Sequence, residues 1–210
     1  MKKAIINILT IFPEQVKAYT EVGILNQALS KDLVEYNIVD IRDFSEDKHR
    51  KVDEIPYGGG PGMVMQAPVV VRAIESLNDP GIKILLEPGG EEFTQDSAET
   101  LVGSNITLIC GRYTGIDFRV RNFVDRIVSV GDFIVSGGEL PALIITEAVV
   151  RLMPGVLGDQ RSIEEDKGYP VYTRPREFRG LKVPEVLFTG NHRKIKEFRD
   201  QEAKYGRINK

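Results

Sequence analysis

The 210-residue sequence predicts an α/β fold: a mostly parallel sheet with helices on both faces, plus a small basic helical piece at the C-terminal end. Three observations predict it. Short β-branched runs alternate with stretches of helical spacing, the pattern that makes parallel strands joined by crossover helices. Glycine-rich corners directly follow predicted strands, where open α/β sheets hold their ligands. The charge is also divided. Val171 to Lys210 carries eleven Lys/Arg against five Asp/Glu, which leaves 17 against 26 in residues 1–170, so the tail is +6 and the body −9.

In chain order, Ala4–Ile11, Val34–Ile41, Ile82–Leu86, Ile106–Cys110 and Arg126–Val130 read as strands, because β-branched and apolar residues dominate each run. Glu14–Leu29, Ala67–Leu77, Thr94–Val102 and Ile116–Val124 carry helical spacing, as does Glu139–Met153, which Pro154-Gly155 stops. Asp159 to Gly168 holds six charged residues and little to bury. The expected organisation is therefore a domain over 1–158, a flexible linker over 159–170 and a small basic helical domain over 171–210. A helix is expected from about Arg193 to Tyr205. That last piece is too small to have its own core and must pack on something.

Composition excludes several classes. Forty-one per cent hydrophobic residues suffice for a core, and 28% charged residues suit a soluble protein. Cys110 is the single cysteine, so no internal disulfide forms, and its apolar run Ile106–Cys110 assigns it to the core. His49 and His192 are the only histidines, too few to assemble a His/Cys metal centre. The apolar run after Lys2-Lys3 ends at Pro13 without a small-x-small cleavage site, and no stretch is long enough to cross a membrane. A cytoplasmic protein, with no membrane partner, is expected.

Three glycine corners carry the functional signal: Tyr57-Gly-Gly-Gly-Pro-Gly-Met63, Gly111-Arg-Tyr-Thr-Gly115 and Val130-Gly-Asp-Phe-Ile-Val-Ser-Gly-Gly138. Glycines let backbone approach a ligand closely, and Gly137-Gly138 before a helix leaves free N–H groups there. Each corner alone is also an ordinary tight turn. A dinucleotide binder is disfavoured, because no Gly-x-Gly-x-x-Gly opens a helix after the first strand.

These corners, with Pro154-Gly-Val-Leu-Gly158, Tyr172-Thr-Arg-Pro175 and Gly190-Asn-His192, resemble in order the signatures of the bacterial tRNA (guanine-N1)-methyltransferase family. That family belongs to the trefoil-knot (SPOUT) methyltransferases, and the resemblance runs from about Ile6 to His192. It implies a deep knot in the sheet, an obligate homodimer with active sites shared between chains, and transfer of a methyl group from S-adenosylmethionine to N1 of guanine 37 of tRNA, just 3′ of the anticodon. It further implies a cofactor pocket that on this chain holds Pro88, Gly90, Gly111, Tyr113, Val130, Gly131, Asp132, Phe133, Ile134, Val135, Gly138 and Leu140. A Mg²⁺ requirement stays open. The chain departs from the family in carrying Thr114 and Phe118 where relatives usually have Glu, and in its short tail. A second reading follows from those departures: a cofactor- or RNA-binding protein without catalysis.

Guanine N1 carries a proton, so the chemistry asks for a base at N1 and a cation for the charge reaching O6. Glu164-Glu165-Asp166 offers carboxylates whose crowding raises their basicity, although by itself such a run is an acidic linker. The family pattern selects Asp166. It likewise selects Arg151, whose fixed fork suits O6 and which also complements a helix C-terminus. Arg42, Lys48, His49, Arg50, Lys51, Arg174 and His192 are candidate tRNA contacts by charge and by position in the matching motifs.

Overall fold

The computed structural model describes residues 3–158 and 169–206. The chain divides into two compact units, Met1–Gly158 and Asp159–Lys210. The first unit is built on five strands: β1 (Ala4–Thr10), β2 (Val34–Asp40), β5 (Ile82–Glu92), β6 (Ile106–Cys110) and β7 (Arg126–Ser129). Their order is β2-β1-β6-β5-β7, and every pairing is parallel. A short hairpin, β3 (Asp53–Glu54) with β4 (Val64–Met65), precedes helix α3 (Ala67–Glu75). It is too short to leave an alternating pattern in the sequence.

Both sheet faces are buried, as parallel sheets require. Ile6, Ile84, Leu86, Leu108 and Cys110 belong to a core with α1 (Pro13–Thr20), α2 (Gly23–Ser30), α4 (Gln95–Leu101) and α5 (Glu139–Val150). Leu85 and Ile109, the intervening residues, belong to a second core with α3 and the 3₁₀ turn Phe118–Phe123. This period of two is the pleat itself.

Several boundaries differ from the sequence reading. The helix expected over Glu14–Leu29 is two helices, broken where Gly23 takes φ +59°, a left-handed conformation that glycine adopts at little cost. The helix expected over Ile116–Val124 is the 3₁₀ turn, started by Asp117 accepting from the Arg119 backbone N–H. The strand expected to stop at Leu86 instead runs to Glu92 through a bulge: Leu86 and Glu91 both pair with Val128, so residues 87–90 are extra. Gly90 permits this, since a Cβ there would sit 2.5 Å from the Val128 nitrogen.

The second unit, taken by itself, holds a hairpin of β8 (Glu177–Phe178) and β9 (Leu181–Lys182), a 3₁₀ turn (Glu185–Phe188) and helix α6 (His192–Gly206). Among the described residues, no helix is long and apolar enough to cross a membrane.

Candidate active site

The bulge of β5 and the carboxyl ends of β6 and β7 with the loops that follow them enclose a cleft of about 360 Å³, within the range of small-molecule sites. Leu86 to Pro88 form one wall, Gly111 to Ile116 a second, and Val128 to Val130 with Phe133 to Gly138 and Pro141 the third. The second and third walls are tied by backbone: the Gly138 N–H donates to the Gly111 carbonyl at 2.8 Å, and Arg112 bridges Gly137. Gly138 passes so close to β6 that a Cβ would lie 2.6 Å from the Cys110 Cα. This closeness explains the paired glycines before α5 better than ligand contact alone does.

A buried ion pair locks the same junction. Glu139, 2% exposed, accepts from Arg112 Nε at 2.8 Å and from the Thr10 hydroxyl at 2.7 Å. Arg112 also donates to Gln15 Oε1 at 3.1 Å and lies 4.5 Å over the Phe12 ring, which Arg42 approaches at 5.3 Å. The first turn of α5, the end of β1 and the Gly111 corner are thereby fixed together. The sequence reading missed both residues. The available signal was an acid directly after Gly137-Gly138, heading the apolar run Leu140 to Ile145.

Thr114, exposed in the cleft wall, bonds back to its own scaffold. Its hydroxyl donates to the Met63 carbonyl at 2.5 Å, and Asp117 N–H donates to the Met65 carbonyl at 2.9 Å. The Tyr57–Met63 corner is thus anchored to the cleft wall without lining the cleft. Glu87, in the cleft wall, accepts from Arg121 at 2.6 Å. Cys110 is a core residue as expected, and burial pushes its thiol well above the ordinary range, which suppresses thiolate chemistry.

Of the residues assigned to the cofactor, Pro88, Gly111, Tyr113, Val130, Phe133, Ile134, Val135 and Gly138 line this cleft. Leu140 lines a neighbouring depression with Gln15, Arg112 and Ile134. Gly90, Gly131 and Asp132 line neither. Arg151 caps the far end of α5, roughly 18 Å along the 12-residue helix from the cleft at 1.5 Å per residue, and does not line it. Asp166 lies outside the described residues.

The candidate RNA contacts fall in two groups. Arg42 donates to the Ile11 carbonyl, Arg50 pairs with Asp40 and Asp43, and Lys51 pairs with Glu54 at 2.9 Å, while Lys48 and His49 are exposed. Three of these five residues therefore already have local partners. Arg174 and His192 are exposed in the second unit. Among the described residues, no group of three His, Cys, Asp or Glu side chains is placed to hold a metal ion.

Parallel strands beside a cleft of small-molecule size define a doubly wound α/β protein. The family model described as tRNA (Guanine-1)-methyltransferase TrmD matches residues 4–209, and the chain belongs to that family of enzymes. Similar proteins include the tRNA (guanine-N(1)-)-methyltransferase of Dictyoglomus turgidum, 49% identical over 94% of this chain and 84% of its own length. That of Thermus thermophilus is 46% identical over 93% and 85%, and that of Metamycoplasma arthritidis 48% over 96% and 91%. A methyl donor is implied by the family.

Proposed function

We propose that the enzyme transfers a methyl group from S-adenosylmethionine to N1 of guanine 37 of tRNA. The observation that carries the reading is the cleft, joined to family membership. Its Gly111–Gly115 and Phe133–Gly138 walls carry glycines that let a ligand approach the backbone closely, and Ile116, Val130, Phe133 and Pro141 add apolar surface on which a purine ring packs. A flat, heteroatom-rich donor suits that lining. When bound, it supplies a methyl group made electrophilic by a sulfonium.

The chain's own residues do the rest. Asp166 takes the N1 proton, which frees the lone pair for attack, and Arg151 holds the charge that moves to O6. Arg151 stands at the end of α5 remote from the cleft, which favours a site completed by a second copy of the chain. Leu140 and Ile144, exposed one turn apart on α5, with Tyr19 bonded to Glu147 at 2.5 Å, offer an apolar stripe for that copy. The resemblance carries the trefoil knot, and the close passage of Gly138 beside Cys110 is consistent with a tightly threaded loop. The basic second unit takes the tRNA backbone.

The test is label transfer from S-adenosylmethionine to an unmodified tRNA transcript. Transfer is expected with guanine at position 37 and lost when that base is adenine. Equal labelling of both transcripts would overturn the position.

A further inference from the structure

The second unit contains a cleft of its own, about 530 Å³, to which the methyl-transfer reading assigns nothing beyond Arg174 as a tRNA contact. It is walled by residues 169–174, by Arg176 and Val183, by Leu187 and Phe188 of the 3₁₀ turn, and by Ile195 and Arg199 of α6. Three arginines line it, and no carboxylate does among the described lining residues. Two of those arginines stack: Arg176 lies 4.3 Å over the Phe188 ring, and Arg199 lies 4.8 Å over Tyr169. Phe188 and Tyr172 still leave nearly half of their surface exposed.

This combination selects a ligand chemistry. Three guanidiniums favour an anion, and a stacked guanidinium is held with its donors in one plane, the geometry that phosphate oxygens accept. Phosphate alone would leave the rings without a role. An apolar ligand would cover these cations without offering them a counter-charge, at a desolvation cost. A planar, anionic ligand uses both, and a nucleotide is such a ligand: aromatic and guanidinium faces stack a base without regard to its identity, while the cations hold its phosphate. A duplex cannot enter, because its bases are already stacked on one another.

We propose that this cleft holds one unpaired nucleotide of the RNA substrate, a second one besides the guanine that is methylated, with its base among Tyr172, Phe188 and the stacked guanidiniums. The proposal rests on the reading that the substrate is an RNA with an open loop. It explains why a piece too small for a core keeps an aromatic-lined hollow where a tighter cluster would have been more stable. The nucleotide then serves as a second anchor that orients the loop.

The experiment uses the full chain and a fluorescent, guanine-free A/U heptaribonucleotide, followed by anisotropy and compared with the same sequence annealed to its complement. Guanine is left out so that binding here does not depend on which base is methylated. Failure of this proposal is thereby separate from failure of the guanine 37 reading. Single-strand affinity is expected to exceed duplex affinity by about tenfold or more. Phe188→Leu, which keeps apolar volume but removes the ring, and Arg176→Lys, which keeps charge but removes the plane, should each weaken the single strand by about tenfold. Phe188→Tyr should retain it, and S-adenosylmethionine affinity, read by calorimetry, should not move in any variant. Equal affinity for duplex and single strand, or an unchanged single-strand affinity in Phe188→Leu, would overturn the proposal and leave the unit a plain basic surface.

Discussion

Gly111 and Gly138 both line the cleft, yet a side chain would meet different things at each. At Gly138 a Cβ falls on the rigid backbone of Cys110 and Gly111, at 2.6 and 2.9 Å, so Gly138→Val is a fold-level insult. Its expected effect is a loss of about 2 kcal/mol or more by urea unfolding, in line with overpacked cores. At Gly111 the nearest atoms are Ile116 side-chain carbons at 3.4 and 3.5 Å, ordinary contact distances. Gly111→Leu should therefore fold and lose S-adenosylmethionine affinity in calorimetry. Unchanged affinity in folded Gly111→Leu would remove the donor from this cleft. For the chemistry, Asp166→Asn should slow methyl transfer by about 10²–10⁴-fold, the usual worth of a general base. Cofactor binding should survive, and raised pH should partly restore the rate, because solvent then removes the N1 proton. Arg151→Ala should gain less from high pH, since there the missing element is charge stabilisation. Near-normal single-turnover rates in Asp166→Asn would move the role to Glu164 or Glu165.

At the scale of elements, α5 connects stability to the site. Its first residue, Glu139, is buried and bonded to Arg112 and Thr10, so Glu139→Ala leaves the mostly buried Arg112 cation without its partner. The expected cost is about 3–5 kcal/mol, as for other broken buried pairs, read by chemical denaturation. A loss under 1 kcal/mol would mean the pair only decorates the junction. The strands were legible in the sequence because β-branched runs such as Ile106–Cys110 tolerate no other reading, and the observed strand matches that run end to end. The break at Gly23 was not legible, since apolar spacing continues across it and only the backbone conformation changes. The bulge in β5 was hidden by Pro88-Gly89-Gly90, which reads as a turn until the neighbouring β7 is placed beside it. Two of the three cleft walls were legible as the glycine corners at Gly111 and at Gly137-Gly138, whereas the Tyr57–Met63 corner does not line the cleft. Glu139 and Arg112 were not, because their pairing joins positions 27 residues apart. The basic tail makes its own prediction. tRNA affinity should fall steeply with ionic strength while donor affinity stays nearly flat, since only the former releases counterions. A flat tRNA curve would reduce the tail to a solvated face.

For the molecule as a whole, the cleft sits at the first residues of α5 and Arg151 at the last, so one copy does not gather the proposed machinery at one place. A dimer is expected by light scattering at micromolar concentration. Ile144→Glu, on the exposed stripe of α5, should shift it towards monomer and lower transfer in proportion. An active monomer would contradict shared sites. The most direct test of the central claim is to digest tRNA after reaction with S-adenosylmethionine and identify the methylated nucleoside by mass spectrometry. The account predicts 1-methylguanosine, one per tRNA, in the fragment carrying position 37. Methyl on a ribose, on another base or on another guanine position, with the donor bound normally, would contradict it.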